Sequence, residues 1–543
     1  MRNKLSGFLL VVVMAAALLG GWLGDRAAAG GPPDGDVDTL LRTFTEAFAK
    51  IQTQYATEVE SDRLMESAIK GMLRTLDPHS SYFAATDYSQ LQEEQSGQYF
   101  GLGILIRPER PGSGRVVIVE PPAPGTPGYK MGLRPGDVIS KIGGESIEDW
   151  EYPNEIIPRL KGPKGTKVNI TVERPGESQP IVMDVERDAI PLFTIKHWFF
   201  LAPQIGYIRI DRFSESTSDE LDDALAKLDE STLKGLILDL RNNPGGSLRQ
   251  SIEVSDRFLK KGQVVVTTRS RNGKERKLRA PHKRNHLYPM VVLINRHSAS
   301  ASEIVSGALQ DHDRALIVGE TSFGKALVQT VFPLGERRGL ALTTGRYYTP
   351  SNRLIQRPYN EGFYDYFYNR PEVANSQRTA YQTDGGRTIF GGGGIMPDVE
   401  EKIARFTRFA STVNRKNLFY KFAGLLTRGE VQSDIRFKHN FEELRSRSEA
   451  ELETLQKELQ VTENGRTLEL FKEFLSKEGL EFTEEEFDES RNLLANRLRQ
   501  EIFLGLFGER DGAKVQLEID NQVQKAIELL PSAQALLDQA SQQ

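Results

Sequence analysis

Met290-Val291-Val292-Leu293-Ile294 runs directly into Asn295-Arg296-His297-Ser298-Ala299-Ser300-Ala301-Ser302-Glu303, and then into Ile304 to Asp311. A short apolar run bounded by turn formers predicts a buried strand. Ile304, Val305, Ala308 and Leu309 recur at helical spacing and predict an amphipathic helix. Ser298, Ser300 and Ser302 therefore fall between a strand end and a helix start. The first N–H groups of a helix lack backbone partners and carry positive potential. A serine there attacks a carbonyl while neighbouring N–H groups hold the oxyanion. Serine is equally a preferred N-cap, so the junction alone decides little. The stretch downstream, Gly319-Glu320-Thr321-Ser322-Phe323-Gly324-Lys325-Ala326-Leu327-Val328-Gln329, shifts the balance. Burial lowers a lysine several units from its ordinary value of about 10.4, and such a lysine serves a serine as base.

Read in order, Ser-Ala-Ser-Ala-Ser-Glu from Ser298, Gln310-Asp311, Arg314-Ala315, Val318-Gly319-Glu320 and Phe323-Gly324-Lys325 to Gln329 resemble the carboxyl-terminal processing (tail-specific) peptidases. These are serine proteases with a Ser–Lys dyad. The resemblance implies Ser300 as nucleophile and Lys325 as general base. It implies Gln329 as the residue orienting that lysine and Asp311 as a further member of the charge relay. Ala326 departs from the pattern, in which glycine is common after the lysine.

Composition bounds the alternatives. Lys+Arg 70 against Asp+Glu 75 leaves a net charge of −5, so there is no electrostatic case for nucleic acid. With Cys 0 there are no disulfides, cysteine nucleophiles or zinc-finger spacings. No His-Glu-x-x-His or Gly-x-Ser-x-Gly occurs, which argues against zinc peptidases and α/β-hydrolases. No metal and no organic cofactor is expected. The length implies roughly three or four domains.

At the start, Arg2 and Lys4 precede an uncharged stretch from Leu5 to Gly24. That is long enough to span a bilayer. It also fits a secretory signal with Ala27-Ala28-Ala29 as the cleavage site. Either way the positive flank stays cytoplasmic and the rest of the chain lies outside. Gly30 to Asp36 reads as a linker. Leu40, Leu41, Phe44, Phe48, Ile51 and Tyr55 then predict a helix, and Ser61 is placed to cap a second. Leu76-Asp77-Pro78-His79-Ser80-Ser81-Tyr82, which ends the second helix, also matches the family's N-terminal region, which there helps pair subunits. His79, beside Asp77-Pro78, reads as a turn residue rather than a catalytic one.

Gly101-Leu102-Gly103-Ile104, followed by Gly132-Leu133-Arg134-Pro135-Gly136-Asp137, resembles a PDZ domain. The resemblance assigns the Gly-Leu-Gly-Ile loop to gripping a C-terminal carboxylate while the peptide adds a strand to the sheet edge. In Leu160-Lys161-Gly162, lysine stands where related peptidases often carry an arginine coupling peptide binding to activation. Lysine keeps the charge but loses the bidentate geometry.

Beyond Ile190, Gly206 to Ile210, Ser218 to Asp229 and Leu236 to Leu240 predict strand, helix and strand, with parallel pairing. Arg241-Asn242-Asn243-Pro244-Gly245-Gly246-Ser247 then opens a helix. Glycines there bring backbone N–H groups close to a ligand. The match to the family's Asn-Pro-Gly-Gly segment implies an oxyanion donor, Gly245 or Gly246, beside the Ala301 N–H. Ala341 to Tyr348, then Thr349-Pro350-Ser351-Asn352, closes the core and matches the family again. An aromatic insert follows, with Tyr359, Phe363, Tyr364, Tyr366, Phe367 and Tyr368. It is either a surface flap packed on the core or an aromatic wall for substrate or partner. The tail from Glu400 predicts charged helices, including one capped by Thr483 with Glu486 and stopped by Gly508.

Together these readings give a multidomain α/β and α+β chain. A crotonase/ClpP-like βα core carries an inserted PDZ domain and helical N- and C-terminal regions. The boundaries are 1–29 signal peptide or membrane anchor, 30–96 linker and helical N-terminal region, 97–186 PDZ domain, 187–400 protease core and 401–543 helical C-terminal region. The implied activity is an extracytoplasmic serine endopeptidase of the periplasm or cell envelope. It captures protein C-termini through the PDZ domain and cleaves through an acyl-enzyme. The other reading is a non-catalytic peptide-binding scaffold on the same fold. The implied partners are unfolded or tail-exposed proteins, further copies of the chain and an adaptor protein, with the membrane added if the N-terminal segment stays uncleaved.

Overall fold

The computed structural model describes residues 34–110, 112–282, 288–335, 337–359, 363–368, 378–431, 433 and 449–542. The Leu5–Gly24 segment, its cleavage site and residues 360–362 and 369–377 of the insert lie outside them. The chain divides into two compact units, one up to Tyr82 and one from Phe83.

In the first unit, helices Asp34–Gln54 and Ser61–Arg74 follow the predicted periodicity. Glu60, not Ser61, takes the N-cap position of the second, without a side-chain cap. The difference is one residue, within the usual fraying of helix ends. Asp77 Oδ1 accepts from the N–H groups of both His79 and Ser80, each at 2.8 Å. That is an Asx turn, and it accounts for His79 locally.

In the second unit, a PDZ-type sheet runs in the order Ile106–Pro108, Val116–Ile118, Val138–Ile142, Lys167–Glu173, Ile181–Glu186. Its neighbours are antiparallel. Val116, Ile118, Ile139, Ile170 and Val172 fill its core. Asp137 fixes the Gly-Leu-Arg-Pro-Gly-Asp turn. It accepts from the Arg134 N–H at 2.9 Å and takes a two-point ion pair from Arg174.

The centre of the unit is a six-stranded sheet ordered His197–Ala202, Ile205–Arg209, Gly235–Asp239, Met290–Ile294, Leu316–Gly319, Val399–Glu400. The first pair is antiparallel and the rest are parallel. Parallel strands are covered on both faces and read as continuous apolar runs, as 290–294 does. Leu236, Leu238, Met290 and Val292 face one layer, where helices Thr217–Lys227, Leu248–Asp256 and Ala301–Asp311 contribute. Ile237, Val291, Leu293 and Val318 face the other.

That second face corrects the boundary drawn at residue 400. Val523, Ala526, Leu530 and Ala533, from helices Asn521–Glu528 and Leu530–Gln542, complete its core. The chain's last helices are therefore a layer of the central sheet. The preceding helices, Arg408–Arg415, Leu418–Thr427, Arg466–Lys477 and Glu484–Phe507 among them, build a separate aromatic core around Phe419, Phe422 and Phe471. Thr483 and Glu486 form the expected capping box and Gly508 ends the helix.

Candidate active site

Ligands of parallel α/β sheets bind outside the carboxyl ends of the strands. Three neighbouring strands end together here, at Asp239, Ile294 and Gly319. The segments leaving them carry Asn242–Gly246, Ser298–Ala301 and Ser322–Lys325.

Burial separates the three serines. The Ser298 hydroxyl donates to the Leu240 carbonyl at 2.8 Å and the Ser302 hydroxyl to the Asn243 carbonyl at 3.0 Å. Both residues are fully buried, whereas Ser300 is half-buried. Ser300 also has the unusual backbone, φ 54° and ψ −111°. A non-glycine residue in that region is strained and needs surrounding structure to hold it. A sharp strand-to-helix turn of this type exposes a nucleophilic hydroxyl in other hydrolase folds.

The support comes from Glu303, a residue to which sequence reasoning assigned no role. One carboxylate oxygen accepts from the Ser300 N–H at 2.8 Å and the Lys325 N–H at 2.9 Å. The other accepts from the Ser322 hydroxyl at 2.5 Å and the Gly324 N–H at 2.6 Å. One buried side chain thus ties the serine turn to the lysine turn. Burial pushes its carboxyl up to about 7, against the pull of these hydrogen bonds. A Glu three residues past a helix start signals a capping box, and that was the available clue. Tyr347 reinforces the join, because its hydroxyl reaches the carbonyls of both Ser300, at 3.1 Å, and Lys325.

Lys325 follows Gly324, whose φ of 88° makes the turn. Its Nζ donates to Gln329 Oε1 at 2.7 Å. A bulge between Val328 and Gln329 breaks the strand register there. Bulges re-aim side chains beside sites. Ala326 sits at ordinary negative φ, donates to Gln356 Oε1 at 2.8 Å and accepts from the Tyr347 N–H. Alanine in place of glycine therefore costs nothing in backbone shape.

The glycines of 245–246 are packed from both sides. A Cβ on Gly245 would lie 2.8 Å from the Ser300 Cβ and 2.9 Å from the Ala301 nitrogen. Only glycine allows that approach. The Gly245 N–H donates to Asn243 Oδ1 at 2.8 Å. Among the described residues no hydrogen bond engages the N–H of Gly246 or of Ala301.

Asp311 is not brought to this cluster. It closes the helix that Ser300 opens, and ten residues of helix put it about 15 Å away. Its carboxylate pairs with Arg353 at 2.5 Å and accepts from the Ser351 N–H at 2.9 Å. It anchors the segment after the Arg338–Tyr348 strand instead of joining a charge relay.

The insert divides between its two readings. Tyr366 and Phe323 pack edge to face at 5.5 Å against Ala299, with Tyr359 and Phe367 beside them. Arg357 stacks on both rings. Tyr364 and Tyr368 stay exposed. Just before the first strand of the PDZ-type sheet, Gly101, Leu102, Gly103 and Ile104 line a groove of about 230 Å³ that Ile157, Leu160 and Lys161 close. Lys161 Nζ pairs with Glu93 at 2.6 Å.

Three family models match the chain. They are peptidase family S41 over residues 204–361, a PDZ domain over 118–174 and the activating protease CtpB N-terminal domain over 31–86. The chain is 43% identical over 323 residues to a carboxy-terminal-processing protease of Bartonella bacilliformis, spanning 58% of this chain and 72% of that one. It is 33% identical over 361 residues to carboxy-terminal processing protease CtpA of Bacillus subtilis, spanning 66% and 76%. A solved photosystem II D1 C-terminal processing protease is 26% identical, covers 66% of this chain and 86% of its own, and superposes with a TM-score of 0.34.

Proposed function

Because the chain belongs to the carboxy-terminal processing proteases of peptidase family S41, and is thus a serine-type peptidase with a PDZ domain, we propose that it works through Ser300 and Lys325. The observation that carries this is the Glu303 tie, which joins the Ser300 and Lys325 backbones while Gln329 holds the amine. In this reading neutral Lys325 takes the Ser300 proton as Oγ attacks the scissile carbonyl. The N–H groups of Ala301 and Gly246 receive the oxyanion, because that of Gly245 is already bound to Asn243. Each such donor is worth roughly 3 kcal/mol in the transition state. The ammonium returns its proton to the leaving amine. Water, deprotonated by the same lysine, then hydrolyses the ester and frees Ser300.

The groove lined by Gly101–Ile104 takes the C-terminal carboxylate of an unfolded or tail-exposed protein. The enzyme acts outside the cytoplasm, in the periplasm or cell envelope, delivered by the Leu5–Gly24 segment as signal or anchor. Leu40, Leu41, Phe44, Ile51 and Met72 on the two N-terminal helices, and Tyr55 and Leu76 just beyond their ends, are exposed apolar residues. An apolar stretch of that extent fits a protein partner, and a second copy of the chain is the partner assigned to it. An adaptor protein that delivers substrates completes the reading.

The test is cleavage of an unstructured reporter with an apolar C-terminal tail. Wild type is expected to cut and Lys325→Ala to fail. Amidating the reporter's C-terminus is expected to raise KM at least about tenfold, the loss of a charge-assisted contact. Cutting by Lys325→Ala at the wild-type rate rejects the dyad, and indifference to amidation rejects carboxylate capture.

A further inference from the structure

Arg241 leads directly from the Gly235–Asp239 strand into the Asn242–Gly246 segment. Its guanidinium is buried and each of its nitrogens has a partner. Nε and Nη2 bind Asp239, the closest contact being 2.6 Å. Nη1 binds both oxygens of Asp520, at 3.0 and 2.8 Å, and Gln522 Oε1 at 2.8 Å. One half of the cation is thus held by its own strand. The other half is held by the N-terminus of the Asn521–Glu528 helix, nearly three hundred residues further along the chain.

What Arg241 anchors continues to the serine. Asn242 sits at φ 61° and exchanges two hydrogen bonds with Asn295, at 3.0 and 2.9 Å. Asn295 in turn fixes the 295–298 turn through the His297 N–H and the Ser298 hydroxyl. The Asn243 carbonyl accepts from the Ala299 N–H and the Ser302 hydroxyl, each at 3.0 Å. Gly245 lies against the Ser300 Cβ. Polar contacts, linked through the short 241–243 backbone, therefore run from Asp520 to Ala299, which precedes the nucleophile, and to Ser302, two residues beyond it.

We propose that Asp520 and Gln522 are positioning residues of the active site, holding Arg241 so that the Asn242–Gly246 segment keeps its place against Ser300. This rests on the assignment of Ser300 as nucleophile. Docking of the helix does not require the ion pair. Val523, Ala526, Leu530 and Ala533 already pack it on the sheet, and Arg241 keeps Asp239 as its counter-ion when Asp520 loses its charge, so no buried charge is left uncompensated. Its value lies in fixing one arrangement, and an ångström of misplacement costs a reaction on the order of a hundredfold.

Asp520 also caps its helix, accepting from the Gln522 and Val523 N–H groups at 3.0 and 3.1 Å. Asparagine caps about as well as aspartate. Asp520→Asn in the full chain therefore removes the charge and leaves the cap. Steady-state cleavage of the unstructured reporter is expected to show kcat down about tenfold, KM within about twofold and a melting temperature within a few degrees of wild type. Adding Gln522→Glu returns a carboxylate to Arg241 Nη1, and the double variant is expected to regain most of the lost kcat. A kcat for Asp520→Asn within twofold of wild type overturns the proposal. So does a fall in kcat that tracks melting temperature and is not rescued by the second change. Ser300→Ala runs alongside. If it still cleaves, the nucleophile assignment has failed; if it is inert while Asp520→Asn is fully active, only the positioning role has.

Discussion

The two ends of the Ala301–Asp311 helix each bury a carboxylate, Glu303 at 0% exposure and Asp311 at 1%. They are held in opposite ways. Asp311 faces a guanidinium, Arg353, which is itself fully buried. Glu303 faces three backbone N–H groups and a hydroxyl, with no cation among the hydrogen bonds it accepts. A buried charge needs compensation. A cation supplies it as a rigid tie. Neutral donors supply it only in part, and the Glu303 carboxyl accordingly rises to about 7. Perturbed groups of this kind gather at functional sites. Depth of burial does not mark the working carboxylate; the chemistry of its partners does.

The largest expected effect breaks the Glu303 end. Glu303→Gln puts an amide among groups that all donate, so one side of the join between the serine and lysine turns is lost. Cleavage is expected to fall by about a hundredfold or more with the fold retained by circular dichroism. Activity within tenfold of wild type would mean that the tie does not position the dyad.

At the other end the loss is expected in stability rather than catalysis. Asp311→Asn leaves Arg353 charged and buried, which costs about 3–5 kcal/mol. Denaturant unfolding measures it. The folded fraction should keep kcat within about threefold, since nothing at Asp311 touches the reacting atoms. A selective collapse of kcat would return Asp311 to the charge relay.

The pH dependence of stability sharpens the contrast. The Glu303 carboxyl is raised in the folded chain from an ordinary 4.5 to about 7. Between those values the native chain keeps a proton that the unfolded chain has released. Stability therefore falls as pH rises across that window and levels off above it. Glu303→Gln cannot titrate, so its melting temperature should gain on wild type from pH 4.5 to 7. A constant difference between the two would contradict the raised value.

The smallest effect concerns Lys161. Its pair with Glu93 is about a third exposed on each side and so is worth at most about 1 kcal/mol. Glu93→Gln should change the KM for a free-carboxylate reporter by a few-fold. A change in kcat alone would place the pair's influence away from peptide capture.

Much of the site was legible because its elements are local. The 290–309 pattern gave the strand, turn and helix, and the ordered motif singled out Ser300, Lys325 and Gln329. Propensity could not rank Ser298, Ser300 and Ser302, since all three suit a helix start. Their partners, Leu240 and Asn243, decide it from another segment. The role of Glu303 is hidden from the sequence for the same reason, its partners lying at Ser322, Gly324 and Lys325. Asp311 was drawn toward the relay by its place beside the motif, while Arg353 was out of view. The last helices were legible only as part of a charged helical tail, and nothing in their sequence names the sheet they cover. A helix pattern specifies a buried side and never its partner, so the layer under the central sheet and the Asp520 contact emerged only from the fold.

The most direct test of the Ser300–Lys325 assignment is the acyl-enzyme. The full chain is mixed with an activated ester peptide, quenched with acid and mapped by mass spectrometry. The account predicts an adduct on the peptide that contains Ser300, absent from Ser300→Ala and formed at least about a thousandfold more slowly in Lys325→Ala. An adduct on another residue, or one that survives in Ser300→Ala, would contradict it.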